Sequence, residues 1–178
     1  MSVTIEKLKD TLISIFGEDN VTHVDDALTI GVEVEGKLFE LTIGLISDRD
    51  EFGMQSLEIY LWFCDGSGQK VDLRDLVSPE TLDLVECLLK RMPWGSFYTS
   101  SGRDGSRYCC SYRRVEVTED DVKLLVSDQN SSRIFRSLKR MFSEGCNVSD
   151  FVAGIASKQI SDPEILKAFM SSSTATAI

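Results

Sequence analysis

Two adjacent cysteines, Cys109 and Cys110, stand between Tyr108 and Tyr112 in the run "SRYCCSYRR", with Arg107, Arg113 and Arg114 beside them. Guanidinium groups stabilise a thiolate, so the run has the composition of a nucleophilic or redox cysteine site. Side chains on a strand alternate between faces, which sends Tyr108, Cys110 and Tyr112 one way and Arg107, Cys109, Ser111 and Arg113 the other. Neighbours so placed do not readily chelate one metal, and a vicinal disulfide demands an unusual peptide geometry. Two structural cysteines, each behaving as a small buried hydrophobe, are therefore expected.

Other chemistry is sparse. His23 is the only histidine, which removes most hydrolytic schemes built on an imidazole base. Its neighbours Asp25 and Asp26 lack a second histidine or a CxxC pair to complete a metal site, so a surface histidine where a strand begins is expected. The glycines of "SSGRDGSR" lack the phosphate-loop pattern and fit a hairpin turn. The acids Asp48 and Asp50, and the run Glu119, Asp120 and Asp121, fall on a loop and a helix start. The sequence thus predicts no enzyme, no metal and no cofactor.

Recognition is the remaining possibility. Tyr60 and Trp62 alternate with Leu57, Ile59, Leu61 and Phe63, so they lie on the opposite face of one strand. Either further elements such as C-terminal helices cover that face, or it is an aromatic surface for a partner. Tyr60, Trp62, Tyr108 and Tyr112 are the candidate partner-binding residues. The basic stripe Arg133, Arg136, Lys139 and Arg140 reads as a solvated helix face, with pairing to acidic surface or contact with phosphates as alternatives.

Several elements must position these residues. Ile5, Leu8, Leu12, Ile15 and Phe16 recur at helical spacing over residues 4 to 16, with Gly17 as a stop. Three alternating runs follow, carrying Leu28 to Val34, Phe39 to Leu45 and Leu57 to Phe63, the first two joined as a hairpin through "VEGKL". "VSPETLDLVECLLKRMP" predicts a helix capped by Ser78, with Pro79 at its first position and Pro93 as its stop. Its apolar arc, including Leu84, Leu88 and Met92, is wider than one sheet face needs. A second hairpin follows: a short strand at residues 96 to 99, a turn with Gly102 and Asp104-Gly105, and a strand from Arg107 to Val117. Thr118 caps another helix, which continues or restarts at "NSSRIFRSLKRMF" and ends at Gly145. Two short helical patterns, "VSDFVAGIASK" and "DPEILKAFM", precede a small, polar, frayed tail.

At 178 residues, 42% of them hydrophobic, the chain is long enough for one main domain that buries a substantial core. Five cysteines without a secretion signal predict reduced thiols, and no apolar run approaches a membrane span, so a cytoplasmic protein is expected. Residues 1 to 90 hold 7 Lys/Arg against 19 Asp/Glu, net −12, whereas residues 91 to 178 hold 12 against 10, net +2. This balance argues against nucleic-acid binding and permits a basic protein partner or a merely soluble acidic face.

The element order, together with "DDALTIGVEVEG", "SPETLDLVECLLKRMPWGSF" and "SRYCCSYRRVEVTEDDV", resembles the type III secretion chaperone-like fold, which includes small secretion chaperones and YbjN-type sensory transduction regulators. The likeness spans about residues 4 to 143. It implies a non-enzymatic α+β domain that forms homodimers, here through Leu84, Leu88 and Met92, and binds protein segments on sheet and groove surfaces. The expected layout is a chaperone-like domain over residues 1 to 145, a helical extension over 146 to 170 and a tail over 171 to 178. Its architecture reads as helix, three-stranded antiparallel meander, helix, two-stranded hairpin, then C-terminal helices packed on the sheet. An acidic inhibitor or nucleic-acid mimic that blocks a target's basic site is the alternative, with Asp48, Asp50, Glu51, Asp65, Asp72 and Asp75 as its charges.

Overall fold

The alternating runs pair as an antiparallel sheet. A computed structural model describes residues 2–46, 54–79, 82–83, 85–87, 96–101 and 104–156. Strands β2 (Ala27–Val34), β3 (Lys37–Ile46) and β4 (Gln55–Phe63) pair in order, with Ile30 opposite Leu41 and Leu41 opposite Leu61. This register aligns Leu28, Ile30, Phe39, Leu41, Ile59 and Leu61 on one buried face. The turn between β2 and β3 is Glu35-Gly36, with φ of +53° and +75°, the left-handed pair whose twist suits a two-residue hairpin.

Strands β5 (Ser96–Ser101) and β6 (Arg107–Val117) form the second hairpin, and β6 returns to pair with β4. The complete sheet has six strands in the order β1-β2-β3-β4-β6-β5. Its extra member, β1 (Val21–Val24), was absent from the five strands expected, because only Val21 of its four residues is buried and no alternation marks it. His23 lies exposed on this strand.

Helix α1 (Ile5–Phe16) is capped by Thr4, whose hydroxyl accepts from the Lys7 N–H, and it buries Leu8 and Leu12 completely. A short helix α2 (Leu73–Leu76) starts at Asp72. Residues 79, 82–83 and 85–87 are helical, and Val85 enters the core with Leu73 and Cys109. Helix α3 (Glu119–Ser127) opens on a reciprocal cap in which Thr118 and Asp121 bond each other's backbone N–H. The chain restarts as α4 (Arg133–Ala156).

Gly145 does not end α4. The helix runs through it to Ala156, so the first of the two short patterns expected after residue 147 is the continuation of the same helix. The glycine is there for approach: a Cβ at residue 145 would stand 2.9 Å from Leu61 Cδ2 and 3.3 Å from Phe39 Cε1. Beyond it Cys146, Val148 and Phe151 join the common core. The second pattern, "DPEILKAFM", the final tail, and the candidate interface residues Leu84, Leu88 and Met92 lie outside the described residues.

The result is an α+β architecture in which α1 and α4 bury the apolar face of the sheet, with α3 packed beside them. Gln55 fastens the N-terminus to this core, its Oε1 accepting from Val3 N–H at 2.7 Å and its Nε2 donating to Val3 O at 3.0 Å.

Candidate functional site

Alternation places Ser56, Glu58, Tyr60 and Trp62 of β4 on the face opposite the core. In the register of the sheet Tyr60 faces Tyr112, and Trp62 faces Cys110. The rings of Tyr60 and Trp62 stack with centroids 5.9 Å apart, while Tyr60 and Tyr112 meet at 5.0 Å with a 44° tilt. Three of the four expected partner-binding residues are thus brought into one cluster of half-buried rings. Tyr108 shares the face by alternation but stands one step beyond Cys110, opposite Ser100.

Polar groups fix the rings. The Trp62 Nε1–H donates to Thr42 Oγ1 at 3.2 Å, and the Tyr112 hydroxyl donates to Glu58 Oε1 at 3.0 Å. Burial, reinforced by that carboxylate, pushes the Tyr112 hydroxyl above its ordinary titration range and keeps it a donor. Lys70 places its ammonium 4.5 Å from the Trp62 ring centre and 2.8 Å from Glu40. Sequence reading missed these supports. Thr42 and Glu40 were accessible to it, since both alternate with Leu41 and Ile43 on β3, but Lys70 arrives through the turn after β4 and carries no such signal.

The question of cover is answered for the described part of α4, which packs on the other face through Gly145, Phe142 and Glu144. The Arg107, Cys109, Ser111 and Arg113 side of β6 therefore lies under helices: Arg113 meets Glu144 at 2.8 Å, and Arg107 meets Glu86 at 3.5 Å. Cys109 and Cys110 are both buried. Burial pushes the Cys109 thiol well above its ordinary range, the reverse of what a thiolate nucleophile requires.

Of the acids of the alternative reading, Asp65, Asp72 and Asp75 are among the described residues. Asp48, Asp50 and Glu51 lie outside the described residues. Asp65 accepts from Ser67 and Gln69 within its own turn, and Asp72 caps α2 while accepting from Arg107 N–H at 3.1 Å. Among the described residues no three His, Cys, Asp or Glu side chains converge as a metal site, and no helix is long and apolar enough to cross a membrane.

No family model, curated protein or solved structure matches this chain.

Proposed function

We propose that this chain is a cytoplasmic, dimeric protein-binding module of the secretion-chaperone and YbjN-like type, and that it holds an extended segment of a protein partner against Tyr60, Trp62 and Tyr112. One observation carries the reading: helices cover one face of the sheet, while the other holds part-exposed stacked rings fixed by Thr42, Glu58 and Lys70. Clustered rings with satisfied polar edges form a rigid apolar platform that loses little entropy on binding.

Charge indicates the occupant. Lys70 already occupies the Trp62 ring face and Glu40, but Glu58 keeps its charge beside Tyr112, and the first 90 residues carry a net −12. An apolar segment with Lys or Arg at its flanks complements both. The interaction makes and breaks no covalent bond.

Panning a random peptide library against the wild-type chain, with Trp62→Ala as counter-target, tests this reading. Apolar peptides bearing Lys or Arg should be retained by the wild type and released by the variant. Equal retention by both, or enrichment of acidic peptides, would refute it. Light scattering tests the dimer separately, and a monomer over a wide concentration range would remove that part.

A further inference from the structure

Among the described residues β6 extends beyond its hairpin partner. The β5 ladder covers it from Arg107 to Tyr112, where Ser96 is the last pairing residue, so residues 113–116 have β4 on one side only among the described residues. The first turns of α4 lie alongside this stretch. Between them is a cavity of about 600 Å3 lined by Arg113, Arg114, Arg133, Arg136, Arg140 and Glu116.

Half of the chain's ten arginines thus converge in a molecule of net charge −10. Such a cluster is unfavourable on its own. Arg133 and Arg136 occupy the positive end of the α4 dipole, and Arg136 and Arg140 bring like charges together at a spacing of four residues. Three members are tied down: Glu144 accepts from Arg113 at 2.8 Å and from Arg140 at 2.7 Å, and Arg133 comes within 3.7 Å of Asp121. Arg114 and Arg136 make no ion pair among the described residues, although Glu58, which keeps its charge while accepting from the Tyr112 hydroxyl, is the cross-strand neighbour of Arg114. Setting Glu58, Glu116, Glu144 and Asp121 against the five guanidiniums still leaves the cluster positive. Buried Arg113 Nε also has no hydrogen-bond partner among the described residues.

We propose that this cavity binds a phosphate group, free or carried on a small molecule. Arg114 and Arg136 are the lining arginines without an ion pair among the described residues, and their planar forks fit the oxygens of a phosphate in pairs. Ser137 adds a hydroxyl, and every second residue of β6 over 113–116 turns its backbone N–H away from β4. The volume lies within the range of small-molecule sites and exceeds what phosphate alone fills.

Calorimetry and thermal melting with inorganic phosphate and with AMP, against sodium chloride at matched ionic strength, test the site. Both phosphates should bind saturably and raise Tm beyond the chloride control. Arg114→Gln with Arg136→Gln should weaken binding at least about tenfold, the loss expected for charge-assisted hydrogen bonds. Both side chains are exposed, so the variant should keep the wild-type circular dichroism. Tighter binding of AMP than of phosphate identifies a phosphorylated small molecule as the source, and equal binding identifies the free ion. A melting shift no larger than that of chloride, or an affinity unchanged in the double variant, overturns the proposal. Trp62→Ala, which tests the partner reading, should bind phosphate as the wild type does, so the two proposals fail independently.

Discussion

The indole of Trp62 lies 13° from parallel to the ring of Tyr60, with centroids 5.9 Å apart. Residues two apart on a strand share a face but touch only when both side chains are long. Here Thr42 and Lys70 hold the indole in place. Trp62→Ala should lower stability by about 1 to 2 kcal/mol, the worth of an aromatic stack and a partly solvated cation contact. Melting should remain cooperative, and affinity for a selected peptide should fall at least about tenfold, since large aromatic anchors dominate such surfaces. Trp62→Phe should retain most of both. Thermal melts and peptide titrations on the two variants check this together.

Gly145 sets how closely α4 approaches the sheet. Alanine there gains about 1 kcal/mol of helix propensity, but its Cβ presses on fully buried Leu61 and on Phe39. Overpacking costs about 1 to 3 kcal/mol, so Gly145→Ala should come out destabilised by roughly 1 kcal/mol. Gly145→Leu should lose more than about 3 kcal/mol because the whole helix must lift. Urea denaturation measures both, and a Gly145→Leu variant as stable as wild type would contradict the close packing.

Glu144 is nearly buried and joins Arg113 on β6 to Arg140 on α4. Glu144→Gln strands the part-buried guanidinium of Arg113, at a cost of about 2 kcal/mol after allowance for its partial exposure. Arg113→Met alone should be costly as well, because it leaves Glu144 with only exposed Arg140. Combining the two should recover a large part of the loss, giving a favourable coupling in a double-mutant cycle. Additive losses would show that the pair does not interact.

Asp72 accepts from the Arg74 guanidinium, from Arg74 N–H and from Arg107 N–H, and these bonds hold its carboxyl at about 2 rather than 3.8. A folded value below the unfolded one adds stability that is complete above the ordinary carboxylate range and is lost as pH falls from about 4 towards 2. Because Arg74 is exposed, the contribution should be near 1 kcal/mol. Asp72→Asn can still cap α2, so it isolates the charge. Denaturation midpoints should fall over that window more steeply in wild type than in the variant.

What the sequence disclosed followed the strength of local pattern. Strict alternation located β2, β3 and β4, the turn at Asp104-Gly105 located β6, and the Thr118 cap located α3, because each is enforced within a few residues. Gly145 misled because a glycine that breaks an isolated helix looks the same as one that lets a helix touch Leu61, and only the third dimension separates them. The aromatic cluster was half legible: alternation gave the shared face of Tyr60 and Trp62, whereas the meeting with Tyr112 depends on β6 crossing back to β4. The same crossing brings Arg113 and Arg114 beside the α4 arginines, which a one-dimensional reading held apart as a strand end and a solvated helix face.

The claim that a partner sits on the aromatic face is tested most directly by the indole N–H resonance of Trp62, assigned with Trp62→Phe and followed while a selected peptide is titrated into the labelled protein. A saturable shift of that resonance, with accompanying shifts at Tyr60, Thr42 and Tyr112, is the predicted result. A bound peptide that leaves Trp62 unmoved while shifting residues of α1 and α4 would contradict it.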